Sequence, residues 1–313
     1  MGIPMGTNNR RLRGAGAAAG LMSLALLAAC GGGGGVATGP EEGGASGAAE
    51  GQEITIGWIP WEEDIAVTHL WAAVLADQGY TVELTNPDVA PLYQGLAGGD
   101  IDLFLDTWLP DTHADYWEQY GEQLEDIGVW YDNAVLTMTV PSYVEGVESI
   151  EDLADNADMF GGRIVGIESG SGLNRTIREE AIPTYGLDDY EFVESSTSAM
   201  LAELDSAIAA EEPIVVGLWR PHIAYANYDL RDLEDPEGAM GAGEEIHMVG
   251  RQGFAADYPE LNGWLQNFTL NDEELQSLET LVLQEHEDDP EAGARAWLAE
   301  NPDFLERVGV PAA

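Results

Sequence analysis

The chain has 313 residues, 45% of them apolar and 8% aromatic, which is length and oil enough for one or two hydrophobic cores. Its formal charge is −47, from 58 acids against 11 arginines with no lysine, and such a surface excludes nucleic acid and anionic lipid as partners of the folded part. The single cysteine, Cys30, excludes an internal disulfide.

In chain order, Arg10, Arg11 and Arg13 form a basic stretch, and an apolar run from Ala15 leads to Leu27-Ala28-Ala29-Cys30. This is the plan of a secretory signal over residues 1–29, with Cys30 where a bacterial lipoprotein signal is cut and its thiol lipidated. The run is too short for an ordinary transmembrane helix. The Arg10-Arg11 pair leaves both the general and the twin-arginine export routes open. Residues 30–52, with five glycines from Gly31 to Gly35, cannot bury a core and read as a flexible tether. Random-coil scaling gives it a mean reach of roughly 25 Å. Residues 1–29 contain no acid, so the exported chain keeps every acid and loses three arginines. A charge this high is expected of a protein working in concentrated salt, where screening weakens self-repulsion.

The folded part opens with a strand at 54–58, a helix from Asp64 to a stop at Gly79, a strand at 81–85 and a short helix at 89–97. A strand at 101–105 leads through Trp108 and His113 into a helix ending at Tyr120, and a further strand spans 135–140. The pattern then restarts. Short helix 150–156, strand 163–167, a helix from Ser171-Gly172 to Tyr185, strand 190–194, helix 197–210 and strand 214–218 follow one another. Such alternation predicts parallel sheets with flanking helices, arranged as two α/β lobes with ligand chemistry at strand C-terminal ends and helix N-termini. The tail is helical: Asn271 with Glu274 makes a capping box, and Asp289-Pro290 starts a helix carrying Trp297 and Leu298.

Among nine tryptophans, Trp71, Trp264 and Trp297 lie on apolar helical faces and read as core. Trp61, Trp108 and Trp219 instead fall at strand C-terminal ends, where a cleft is expected. Indole faces attract a cation that cannot be hydrogen-bonded, and an aromatic cage suits a trimethylammonium group. Each face contributes roughly 0.5–2 kcal/mol, so three faces plus burial can approach micromolar affinity, about −8 kcal/mol. A zwitterion also needs an anion site. The glycine-containing strand-to-helix turn Ile167-Glu-Ser-Gly-Ser-Gly172-Leu173 offers free N–H groups to a carboxylate. His113, at the start of a helix, offers a second donor, although a lone histidine is more often structural.

At this point the residues resemble a known family. Trp-Leu-Pro-Asp-Thr-His (108–113), Val-Pro-Ser-Tyr (140–143), Ser-Ile-Glu-Asp-Leu (149–153), Gly-Ile-Glu-Ser-Gly-Ser-Gly-Leu (166–173) and Trp-Arg-Pro-His (219–222) resemble the glycine betaine/proline betaine substrate-binding lipoproteins of ABC importers, the OpuAC type. Asp-Leu-Arg-Asp-Leu-Glu-Asp-Pro (229–236) and Glu-Glu-Ile-His (244–247) extend the match, which covers about residues 53–308. The resemblance implies an α/β, two-lobed periplasmic-binding-protein-like (type II) fold with its ligand cleft between lobes. The expected division is residues 53–142 for the first part of lobe I, 143–240 for lobe II, and 241–313 returning to lobe I. By motif, Trp61, Trp108 and Trp219 would wall the ammonium cage, and His113 with the N–H groups of Gly172 and Leu173 would hold the carboxylate. The third wall departs from the family pattern: Leu218 precedes Trp219, and Ile223 stands where a second tryptophan is common, which leaves the packing behind Trp219 open. His222 reads as a structural neighbour.

The expected role is capture of glycine betaine or a related zwitterion (proline betaine, carnitine) for osmoprotectant import, by a monomer anchored through Cys30 on the outer face of the cell membrane. A membrane permease is the expected partner, and no cofactor, metal or catalytic residue is expected. Binders of choline or ectoine remain alternatives, as does a secreted hydrolase. Carboxylate pairs such as Asp102/Asp106 or Glu62/Glu63 suit an acid and base but arise by chance among 58 acids. There is no Gly-x-Ser-x-Gly elbow, and His286-Glu-Asp-Asp reads as a solvated helix end.

Overall fold

The computed structural model describes residues 51–311; the expectations for the signal, for Cys30 and for the tether as far as Glu50 lie outside the described residues. Strand β1 (Glu53–Gly57) is followed by helix α1 (Glu62–Asp77), strand β2 (Thr81–Thr85), helix α2 (Val89–Gly98) and strand β3 (Leu103–Leu109). β1 pairs in parallel with β2 and with β3. α1 starts where Trp61 is still extended, with Glu62, Glu63 and Asp64 in its first turn, where acids complement the helix dipole. Asp64 ties that start down by accepting the Ile59 N–H at 2.7 Å and the Thr68 hydroxyl at 3.0 Å. The helix ends at a glycine, Gly79 (φ 90°), whose left-handed backbone lets the chain turn into β2.

Helix α3 (Ala114–Tyr120) leads into β4, a long strand from Leu124 to Pro141. The second half of the chain supplies β5 (Arg163–Val165), helix α4 (Gly172–Thr176) continuing through a wider turn to Tyr185, β6 (Glu191–Val193), β7 (Val216–Arg220), β8 (Leu230–Asp232) and β9 (Glu244–Arg251). The strands run in the order β2-β1-β3-β9-β4-β7-β5-β6, with β8 beside β4. β4 belongs to both ends of this path. Its residues Leu124 to Ala134 pair with β9, whereas Val135 to Pro141 pair with β7 or β8. The division between the two strand sets therefore falls inside β4, before the expected boundary at residue 142.

The prediction of parallel sheets needs correction. β3–β9, β4–β9 and β4–β7 are antiparallel, so each strand set is mixed. In the first set the cause is the return of the chain, since β9 wedges between β3 and β4 and runs against both; in the second, β4 itself runs against β7. Two strands also extend further than periodicity suggested, β3 through Leu109 and β7 through Arg220, so Trp108 and Trp219 sit within strands, one residue short of their ends.

α1 is buried on nearly every side because the tail packs on it through helices Asp272–Glu279 and Pro290–Glu300. Trp71 and Trp297 are fully buried in this core, and Trp264 is buried beside it. The first tail helix carries the anticipated capping box, in which Glu274 N–H donates to Asn271 Oδ1 at 3.0 Å and Asn271 N–H to Glu274 Oε2 at 3.1 Å. Asn271→Ala should lower stability by about 1 kcal/mol, read as a fall in Tm of about 2–4 °C; an unchanged Tm would show that tail packing alone fixes this helix.

Candidate functional site

A small cavity lies where the two strand sets meet, lined by Trp61, Glu63, Trp108, Thr112, His113, Leu136, Ile167, Ser171, Gly172, Leu173 and Trp219. All six residues expected to touch ligand therefore share one chamber. Its confined space and mostly apolar lining suit a small solute.

The three tryptophans arrive from separate elements. Trp61 caps the start of α1, Trp108 comes from β3 and Trp219 from β7. Each is buried, and each indole N–H is tied to a carboxylate. Trp61 Nε1 donates to Glu168 Oε1 at 2.5 Å, Trp108 Nε1 to Asp106 Oδ1 at 3.0 Å and Trp219 Nε1 to Glu63 Oε2 at 2.9 Å. These bonds hold the three rings in place on the wall of the cavity. Glu168 also accepts the Thr197 hydroxyl at 2.9 Å, which secures the Trp61 anchor to the helix starting there.

His113 is only 1% exposed. Its Nδ1 accepts the Trp108 backbone N–H at 2.8 Å, and its ring stacks on Trp61 with centroids 5.6 Å apart. Burial, helped by the Arg175 cation, pushes its pKa down to about 3. The imidazole is therefore neutral near pH 7, and an acceptor at Nδ1 requires the proton at Nε2. Nε2 is buried and has no partner among the described residues. A buried donor left unpaired costs stability, so the site is poised for an acceptor.

Opposite His113 is α4. Ser171 caps it by accepting the Asn174 N–H at 3.3 Å, and the Asn174 side chain bonds both N–H and carbonyl of Ile167 at 2.9 Å, fixing the turn. The first N–H groups of the helix, at Gly172 and Leu173, have no intrahelical acceptor. Gly172 lies so close to Thr112 that an added Cβ would stand 2.1 Å from the Thr112 carbonyl oxygen. The Thr112 turn is held from β9 by Glu244, which accepts the N–H groups of Asp111 at 2.9 Å and Thr112 at 2.8 Å as well as the Thr112 hydroxyl.

The cleft is closed. Besides the Trp61–Glu168 and Trp219–Glu63 bonds, Arg175 Nη2 donates to the Asp111 carbonyl at 2.8 Å and Tyr116 donates to the Gly170 carbonyl at 2.9 Å. His222 explains what supports Trp219 in place of a second tryptophan. Its ring meets Trp219 edge to face at 4.5 Å, and its Nδ1 accepts the Ala224 N–H at 3.0 Å. His222 Nε2 stands 3.1 Å from Glu62 Oε2, within ion-pair distance but outside hydrogen-bond geometry.

Sequence reasoning missed the acids. Glu63, Asp64 and Asp106 are buried together behind the cage, and Glu63 reaches its wall. Burial pushes all three carboxyls up, Asp106 to about 7; the Asp106 charge adds to the rise at Glu63 and Asp64. Pairs such as Asp102/Asp106 and Glu62/Glu63 look like chance among 58 acids, yet Asp106 and Glu63 are two of those enclosed. A usable signal was an acid inside the apolar run Leu103-Phe-Leu-Asp-Thr-Trp-Leu109, where an alternating surface strand would not place it. Glu244 was recorded only as part of a motif, and its clamp on the Thr112 turn carries no local sequence mark.

Two lobes closed over a small, tryptophan-walled chamber define a solute-binding protein of the periplasmic type. The chain matches, over residues 52–300, the family described as the substrate-binding domain of ABC-type glycine betaine transport systems (OpuAC). It belongs to that family. It is 33% identical over 174 residues to the glycine betaine/carnitine transport binding protein GbuC of Listeria monocytogenes, an alignment covering 54% of this chain and 56% of that protein. The chain thus spans little more than half the length of this relative. Among solved structures it is similar to lactococcal OpuAC in its closed-liganded conformation with glycine betaine (29% identity, TM-score 0.75, 82% of this chain and 99% of that one). It is also similar to a choline-binding protein of an ABC transporter in complex with choline (28% identity, TM-score 0.76, 82% and 91%).

Proposed function

We propose that this protein captures glycine betaine, or a related quaternary ammonium zwitterion such as proline betaine or carnitine, and delivers it to the permease of an ABC importer without altering it. The observation that carries the reading is the meeting of two kinds of group in one closed chamber: three indoles and, beside a helix start, an imidazole donor with no partner among the described residues. Trp61, Trp108 and Trp219 form the ammonium cage. His113 Nε2–H and the N–H groups of Gly172 and Leu173 bind the carboxylate, for which charge-assisted bonds are the stronger kind. The lobe carrying Trp61, Trp108 and His113 and the lobe carrying Trp219, Gly172 and Leu173 each supply part of both subsites, so ligand favours the closed form. We further assign residues 1–29 to an export signal, Cys30 to a lipid anchor on the outer membrane face, and residues 31–52 to the tether, with the protein acting as a monomer.

Calorimetric titration of the full chain in concentrated salt tests this directly. Glycine betaine should bind one to one and be recovered unchanged, with choline at least tenfold weaker because it lacks the carboxylate. Tighter binding of choline would move the ligand assignment to that class. Silence toward every quaternary ammonium would remove the cage altogether.

A further inference from the structure

Glu63 is the one acid in the lining of the chamber, and the anchors of the three indoles are all acids. Glu63 is 1% exposed and accepts the Trp219 N–H at 2.9 Å. Behind it on β3 is Asp106, whose Oδ2 is buried with no partner, and Asp64 lies on the same helix start. The remaining titratable groups around Glu63 are Glu279 from the tail helix, whose Oε1 is also buried and unpartnered, and Glu62 on its own helix. His222, beyond β7, faces Glu62, while His113 shares the chamber and is neutral. Among the described residues no arginine bonds to any of these acids. Several carboxylates in one dry space with no cation cannot all be ionised.

Resting on the ligand reading above, we infer that Glu63 is a proton-exchanging wall of the cage. It is protonated when the chamber is empty and ionised when a quaternary ammonium group occupies it, so each capture expels a proton to solvent. The permanent charge of the ligand replaces the proton as counter-charge: Glu63–COOH plus cation becomes carboxylate–cation plus a released proton. Opening of the lobes breaks the Trp219 contact and gives the proton its route, while Asp106, Asp64 and Glu279, all on the lobe that carries Glu63, stay packed beside it. The upward push that burial and the Asp106 charge exert on Glu63 agrees with this direction. An opposite charge within about 4–6 Å lowers a carboxyl pKa by roughly 1–3 units. By linkage, betaine binding then weakens as pH falls below the raised pKa of the empty protein, by up to about tenfold per pH unit. The device favours a fixed cation over any neutral solute of the same shape, since only the cation permits Glu63 to ionise.

Glycine betaine is titrated into the full chain near pH 6, in buffers of different ionisation enthalpy. The expected heats vary linearly with that enthalpy, giving a release approaching one proton per ligand. In Glu63→Gln, which keeps an acceptor for Trp219, the release is lost and the affinity, whatever its new value, is flat with pH. If Glu63→Gln fails to fold or bind, Glu63→Asp keeps the acid and should keep the release. Infrared difference spectra of the wild type should then show loss of a buried protonated carboxyl on adding betaine. Saturable binding with the same heat in every buffer overturns proton exchange and leaves the betaine reading intact. Release that persists in Glu63→Gln, or a carboxyl band unmoved by betaine, also overturns it. Absence of betaine binding overturns both.

Discussion

Trp108→Ala is expected to weaken glycine betaine binding by roughly 30- to 1000-fold, equivalent to about 2–4 kcal/mol. A lost indole face accounts for about 0.5–2 kcal/mol, and unburied ligand methyl groups add about 0.8 kcal/mol per carbon left wet. Trp108 also holds two other parts of the site. Among the described residues its side chain is the one donor to Asp106, and its backbone N–H fixes the His113 tautomer. Truncation removes the first tie and spares the second, so the carboxylate end should survive while the cage fails. Trp108→Phe separates these effects, because it keeps a ring face and loses the Asp106 bond; its loss should stay near tenfold. The measurement is calorimetry beside a melting curve, since a buried Trp→Ala change costs about 3–5 kcal/mol of stability as well. Betaine affinity within threefold of wild type in a folded Trp108→Ala protein would take Trp108 out of the cage.

Much of the fold was legible because its early elements obey simple periodicities. The strand at 54–58, the helix ending at Gly79 and the Asn271 capping box are local signals, and the structure has each within a few residues. What escaped was non-local. β9 was read as a motif and not as a strand, since Glu244-Glu-Ile-His-Met-Val-Gly-Arg buries a glutamate where an apolar residue is expected. The first half of β4 escaped for a related reason: register shifts around Gly128 and Tyr131 break its alternation. Without these two antiparallel strands the sheet could only be read as parallel.

The candidate site was legible for a different reason. Trp61, Trp108 and Trp219 were singled out because strand ends are where a cleft forms, and their large apolar rings were hard to explain there as packing. The acids that anchor them were invisible against so many others. Burial separates the two populations. Most of the acids face solvent, where salt screens them, whereas Glu63, Asp64, Asp106 and Glu244 are enclosed, and each holds part of the chamber or its closure. An acidic surface thus conceals an acidic interior with a separate task.

Gly172→Ala should abolish closure, with a loss of betaine affinity of at least about 100-fold. A methyl group at this position would lie 2.1 Å from the Thr112 carbonyl oxygen and 2.5 Å from its Cγ2. Relief requires the two lobes to part by more than an ångström, because Thr112 cannot retreat: Glu244 holds its N–H and hydroxyl, and Arg175 spans to the preceding carbonyl. The clash exists only between lobes, so each lobe should fold and the ligand-free melting temperature should stay near that of the wild type. Glycine at this position thus serves close approach of two backbones and not a special turn. Gly263→Ala is the matched control, since that glycine lies in helix Pro259–Leu265 with nothing within 4 Å of an added Cβ. Small-angle scattering should show the wild type and Gly263→Ala contracting when betaine is added, and Gly172→Ala failing to contract. If Gly172→Ala contracts and binds like wild type, the close approach of Gly172 to Thr112 is not a requirement of the ligand-bound form.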